Sequence, residues 1–81
     1  MSNLSLVFTF QGNNVVIQCQ ESDKIEDVFN KYCFKAGLEP NDLKFYYNGK
    51  EVRRCGKTLF ALGISKNGKF DVVSTTHLLG A

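Results

Sequence analysis

Residues 23–37 carry the pattern that most restricts what this chain can become. Ile25, Val28, Phe29, Tyr32, Cys33 and Ala36 recur at steps of three and four, which puts them on one stripe of an α-helix. The ends are punctuated. Asp23 can accept from the amide of Glu26 while Glu26 reaches back to Asp23, and Gly37 suits the left-handed residue that closes a helix. A helix of about three to four turns cannot hide such a stripe alone. The segments on either side must cover it, and their periodicity decides the fold.

Those segments alternate with a period of two. Leu4, Leu6, Phe8 and Phe10 fall on one side of a strand and Ser5, Val7 and Thr9 on the other. Residues 11–14, Gln-Gly-Asn-Asn, tolerate positive φ, and Val15, Ile17 and Cys19 then alternate with Val16, Gln18 and Gln20, completing a hairpin. Past the helix, Pro40 lacks an amide hydrogen and holds Glu39 extended, so the chain turns back. Leu43, Phe45 and Tyr47 form a third strand, Asn48-Gly49 a tight turn, and residues 50–52 a short return arm. Residues 58–64 read as one helical turn delivering Leu59, Leu62 and Ile64 inward, and residues 69–75 as a closing strand with Phe70 and Val72 on one side and Asp71, Val73 and Thr75 on the other. The expected architecture is α+β: a mixed sheet of four to five strands with one long helix across one face, the first and last strands meeting in the middle as a parallel pair.

Composition narrows the function classes. A chain of 81 residues makes one domain, and its 43% apolar share is too high for a segment that stays disordered. The net charge of +2 comes from basic residues scattered through loops, which speaks against a nucleic-acid footprint or an anionic membrane surface. No apolar run reaches the roughly 20 residues of a membrane span, and the first residues lack a signal-peptide pattern, so the expectation is a cytoplasmic or nuclear protein. Cys19, Cys33 and Cys55 form no CxxC pair and leave one thiol over under any single disulfide, which favours a reducing compartment. With one histidine, His77, and no paired cysteines, neither a metal site nor any cofactor is expected.

In order and spacing the chain resembles a ubiquitin-like β-grasp domain from Leu4 to about Thr75, which implies one domain over residues 1–75 and a flexible C-terminal tail over 76–81. Ser22-Asp23-Lys24-Ile25-Glu26-Asp27-Val28 is similar to the opening of the ubiquitin helix, Gly37-Leu38-Glu39-Pro40 to the bend after it, and Tyr47-Asn48-Gly49-Lys50 to a ubiquitin turn. Tyr32-Cys33, Asn41-Asp42-Leu43-Lys44-Phe45 and Leu62-Gly63-Ile64 are more similar to the SUMO branch. The resemblance implies a non-enzymatic protein modifier, or a fixed recognition module of a larger protein, with ubiquitin- or SUMO-pathway enzymes and receptors as partners and a monomer as the working form. Modifiers of this family are joined to substrates through a C-terminal Gly-Gly. Here the corresponding positions are Leu78 and Leu79 or, on a tail two residues longer, Gly80 and Ala81. An end in Gly-Ala is also similar to what a ciliate ubiquitin-like domain encoded beside an intein-like processing domain would release.

The resemblance also suggests where partners bind. Tyr46 and Val73 stand where ubiquitin carries the isoleucine and valine of its apolar patch, with Lys44 beside them and Phe10 or Gln11 at the hairpin edge. Asp71 and Thr75 replace a histidine and an arginine, which alters the charge presented to ubiquitin receptors. A second surface is the groove in which SUMO proteins accept an added strand, bordered here by Val16, Gln18, Gln20, Lys31 and Lys35. Lys50 and Lys66 match lysines on which ubiquitin chains are built. Each surface has a plainer alternative: exposed side chains that bind nothing, or solvated turn lysines. Cys55, beside Arg53, Arg54 and Lys57, is the one thiol that nearby positive charge could activate, with an ordinary loop cysteine as its alternative.

Overall fold

The computed structural model describes residues 3–64 and 66–75. Its elements are β1 (Asn3–Phe10), β2 (Asn13–Gln20), α1 (Ile25–Ala36), a 3-10 turn (Pro40–Asp42), β3 (Leu43–Tyr47), β4 (Lys50–Val52), α2 (Leu59–Leu62) and β5 (Lys69–Ser74). The strands form one mixed sheet in the order β2-β1-β5-β3-β4, with β1 and β5 parallel and the other neighbours antiparallel. First and last strands therefore meet inside the sheet, as the alternating segments and the intervening helix require.

Both tight turns follow from residues that accept positive φ. Gln11 and Gly12 (φ 50° and 82°) join β1 to β2, and Asn48 and Gly49 (φ 53° and 81°) join β3 to β4. This left-handed pair matches the twist of the strands it connects. Gly37 ends α1 at φ 74°, its amide donating to the Cys33 carbonyl.

The start of α1 differs from the expected capping box. Lys24, not Asp23, is the first flanking residue, and no side chain caps the helix. The loop before α2 supplies the acceptors instead. Ile25 N–H donates to the Lys57 carbonyl at 2.9 Å and Glu26 N–H to the Cys55 carbonyl at 3.3 Å. Because these amides are already satisfied, the Asp23 carboxylate turns back to accept from Gln20 N–H at 2.9 Å and so pins the end of β2.

The core lies between α1 and the inner sheet face: Leu4, Leu6, Phe8, Ile17, Cys19, Ile25, Val28, Phe29, Tyr32, Cys33, Phe45, Leu59, Ile64, Phe70 and Val72. Four of the α1 stripe residues are at most 1% exposed, and Cys33 is 2% exposed. Short α2 is capped by Thr58, whose Oγ1 accepts from Ala61 N–H at 3.1 Å, and it drives Leu59 fully inside. Ile64 is buried with it, whereas Leu62 is only half-buried at the margin. Truncation of Leu59 to Ala should therefore cost about 2–5 kcal/mol, because a filled site in so small a core becomes a cavity. Urea unfolding checks this, and a change under about 0.5 kcal/mol, the range of ordinary surface substitutions, would contradict the placement.

Candidate functional site

The sheet face turned away from α1 is set by register. Lys44 pairs with Val73, Tyr46 with Asp71 on one side and with Glu51 on the other, and Thr9 with Asp71. Tyr46 and Val73 are thus diagonal neighbours on adjacent strands, within reach of an aromatic side chain. Val73 is 43% exposed, Tyr46 is half-buried and Lys44 is exposed. Farther across, two polar pairs flank an apolar one: Thr9 Oγ1 donates to Asn14 Oδ1 at 2.8 Å and Ser5 Oγ to Gln18 Oε1 at 3.0 Å, with Val7 opposite Val16 between them. The result is a small apolar centre with the Asp71 and Glu51 carboxylates on either side of Tyr46 and Lys44 beside Val73.

Phe10 does not belong to this face. It follows Leu4, Leu6 and Phe8 onto the helix side, packs half-buried against the core, and meets Val73 only at the end of the sheet, where both border a recess with Gln11, Val72 and Ser74. The period of two leaves it no other side.

The second surface is the outer edge of β2. The two-residue turn closes on Phe10 and Asn13 as a hydrogen-bonded pair, so alternate β2 residues face β1, and Asn14, Val16, Gln18 and Gln20 direct their backbone groups outward. Two side contacts confirm this: Gln20 N–H donates to Asp23, and Lys35 Nζ donates to the Val16 carbonyl at 3.2 Å. Val16, Gln18, Lys31 and Lys35, the residues expected at this groove, line one recess together with Ile17 and Phe34. Gln20 lies in the adjoining, more polar recess with Asn3, Cys19 and Asp23, where Lys31 approaches Asp23 at 4.0 Å.

Sequence reasoning missed Phe34. Its ring is 91% exposed on α1, and that of Phe60 on α2 is 73% exposed. A signal was present: Phe34 is apolar yet falls off the helix stripe.

The remaining candidates are dispersed. Lys50 and Lys66 are exposed, and neither lines the recesses at the β2 edge or beside Val73. Gly80 and Ala81, with His77, Leu78 and Leu79, lie outside the described residues. Around half-buried Cys55, Arg54 Nη2 donates to Asn30 Oδ1 at 3.0 Å and Arg53 approaches Glu51 at 3.9 Å, so each guanidinium has another partner. Among the described residues no group of three or more His, Cys, Asp or Glu could hold a metal ion.

Burial raises three groups in the core. The Cys19 thiol is pushed up to about 11, first by burial and then by the Asp23 carboxylate, with Lys31 opposing. Cys33 and Tyr32 are also raised, chiefly by burial. These thiols are core, not nucleophiles.

A long helix lying across a mixed five-stranded sheet, with parallel first and last strands between two hairpins, is the β-grasp architecture. The profile of the ubiquitin family matches residues 6–76, and the chain belongs to that family, one of non-enzymatic protein modifiers and interaction modules. Solved structures agree on the fold. The ubiquitin of Caldiarchaeum subterraneum superposes with a TM-score of 0.78 at 18% identity, over 90% of this chain and 94% of that one. A ubiquitin-like domain from an Arabidopsis thaliana protein superposes with a TM-score of 0.83 at 13% identity, over 93% and 80% respectively. No curated protein sequence matches significantly.

A raised pKa in the folded state means that folding favours the protonated thiol. The contribution of Cys19 is complete below its ordinary value of 9.0 and is lost as pH rises through about 11. Stability should decline across that window, and Cys19→Ala should make the decline shallower. An identical slope in both proteins, measured by urea unfolding at each pH, would contradict the assignment.

Proposed function

We propose that this domain works by recognising other proteins through the face formed by Lys44, Tyr46 and Val73, without catalysis of its own. The observation that carries this is the placement of an aromatic and an aliphatic side chain on adjacent strands, β3 and β5, inside a sheet whose other side is tightly packed. Rigid anchors lose little entropy on binding, and aromatic residues dominate contact energies. Asp71 beside Tyr46 gives the face a carboxylate, so its partners present a cation near their apolar anchor. Receptors and enzymes of the ubiquitin and SUMO pathways are the expected partners, met by a monomer in the cytoplasm or nucleus.

The open β2 edge supports a second mode. Outward backbone groups, the Phe34 ring and two lysines suit an extended segment added as a further strand. Conjugation would need the tail. Gly80 is followed by Ala81, whose methyl group stands where the family's activating channel is suited to glycine. The domain then acts as a modifier after processing, including release by an attached processing domain, or as a fixed module of a longer chain.

Titration with a panel of ubiquitin-receptor domains, followed by amide chemical shifts, tests the face. Shifts should centre on Lys44, Tyr46 and Val73, and Tyr46→Ala should weaken binding by about 1–3 kcal/mol with the fold intact. Shifts confined to other surfaces, or unchanged affinity in the variant, would reject it. For the tail, a ubiquitin-family activating enzyme with ATP should charge Ala81→Gly and leave the natural chain uncharged. Equal charging of the two would show that the Ala81 methyl group is no obstacle.

A further inference from the structure

Where α1 ends, the apolar contact between helix and hairpin is incomplete. Gly37 closes the helix. Phe10 and Val15, beside the hairpin turn, and Ala36 and Leu38, at the end of the helix, are left half-buried around a recess of about 320 Å³ that Tyr32 also lines. Tyr32 is only 1% exposed, and its ring is held by stacking on Phe8 at 4.6 Å and by edge-on contact with Phe45 at 6.0 Å. Among the described residues its hydroxyl has no hydrogen-bond partner. Every described side-chain nitrogen or oxygen that is shut off from solvent does have one. The part of Tyr32 that reaches the surface is therefore its oxygen, and it does so at the wall of this recess. A polar group fixed inside an apolar wall without a partner is an unusual feature, since buried polar groups are normally paired.

We propose that this recess binds a small uncharged molecule of one or two rings, whose carbonyl oxygen accepts a hydrogen bond from the Tyr32 hydroxyl. Apolar walls with one placed polar group are the usual make-up of a small-molecule site. Size sets the ring count. A cavity of about 150 Å³ lined by aliphatic and aromatic side chains holds benzene, so roughly twice that volume holds a fused pair of rings. The charge of the ligand follows from the lining. Its other members, Gln11 and Asn13, are neutral amides, so none of the described residues around the recess carries a charge that could pair with an ion. The end of α1 also presents the negative pole of the helix, which disfavours an anion there. Burial raises the Tyr32 pKa above its ordinary 10.0, so the hydroxyl keeps its proton at neutral pH and donates. The site lies on the helix side of the sheet, away from Lys44 and Tyr46, and does not depend on the protein-binding reading.

Titration of the full chain with 1-indanone, followed by amide chemical shifts, tests the site. Saturable shifts should centre on Phe10, Val15, Tyr32 and Leu38. Indane, the same skeleton without oxygen, should bind about five- to tenfold more weakly, the factor that one net hydrogen bond supplies, and indane-1-carboxylate should not bind. Tyr32→Phe removes only the hydroxyl. It should bring 1-indanone down to the affinity of indane while leaving the urea midpoint as high as that of the natural chain, because no contact within the protein is lost. Ala36→Leu fills the recess and should abolish binding with the fold intact. The competing occupant is the chain's own end, since Thr75 N–H donates to the Asp42 carbonyl at 2.8 Å and two leucines follow. Without ligand, Leu78→Ser combined with Leu79→Ser should leave the Tyr32 and Leu38 amide shifts in place, and displaced shifts would give the recess to the tail and overturn the proposal. Absence of saturable shifts at the recess overturns it too, as does equal affinity for 1-indanone in the natural chain and Tyr32→Phe. A lowered urea midpoint in Tyr32→Phe would show that the hydroxyl serves the fold, and would equally overturn it.

Discussion

The ring of Phe8 is where the two halves of this fold meet. It stacks on Phe70 of β5 at a centroid distance of 4.9 Å and on Tyr32 of α1 at 4.6 Å, and meets Phe29 and Phe45 edge-on at 6.3 and 5.9 Å. Phe29 and Phe45 stack in turn at 3.9 Å. Parallel β1 and β5 come from opposite ends of the chain, and no short turn sets their register. Side chains must do it. Offset and edge-on aromatic contacts add about 0.5–1.5 kcal/mol each beyond their burial, and they depend on geometry in a way that aliphatic packing does not. Once Phe8 and Phe70 are fixed, period-two alternation fixes the opposite face, including the direction of Asp71 and Val73.

Much of this was legible because it rests on periodicity. The stripe on α1, the alternation of β1, β3 and β5 and the two turns are local patterns with one physical solution each. The cap on α1 was not legible. Asp23 and Glu26 have the residue types of a capping box, but carbonyls of Cys55 and Lys57, some thirty positions later, reach the first helical amides first. No local rule contains that competition.

The candidate site divides in the same way. Lys44, Tyr46 and Val73 share a face because strand parity puts them there. Phe10, expected at the edge of that face, alternates with Leu6 and Phe8 and sits with them on the helix side. Phe34 could have been singled out as an aromatic residue off the apolar stripe, but its neighbours across the β2 edge depend on how far the helix stands from that strand. The four groove residues Val16, Gln18, Lys31 and Lys35 do come together, and the aromatic ring between them changes what the groove can hold.

Both candidate surfaces need a sheet that does not open locally, and this rests on the β1–β5 junction. Native-state hydrogen exchange is the most direct measurement. The amides of Val7, Phe8, Phe70 and Val72 should exchange only through global unfolding, with free energies equal to the stability found by denaturant and above those of β4 and α2. Exchange of these four through local opening, while β3 or α1 remains protected, would contradict the central place given to the Phe8 cluster.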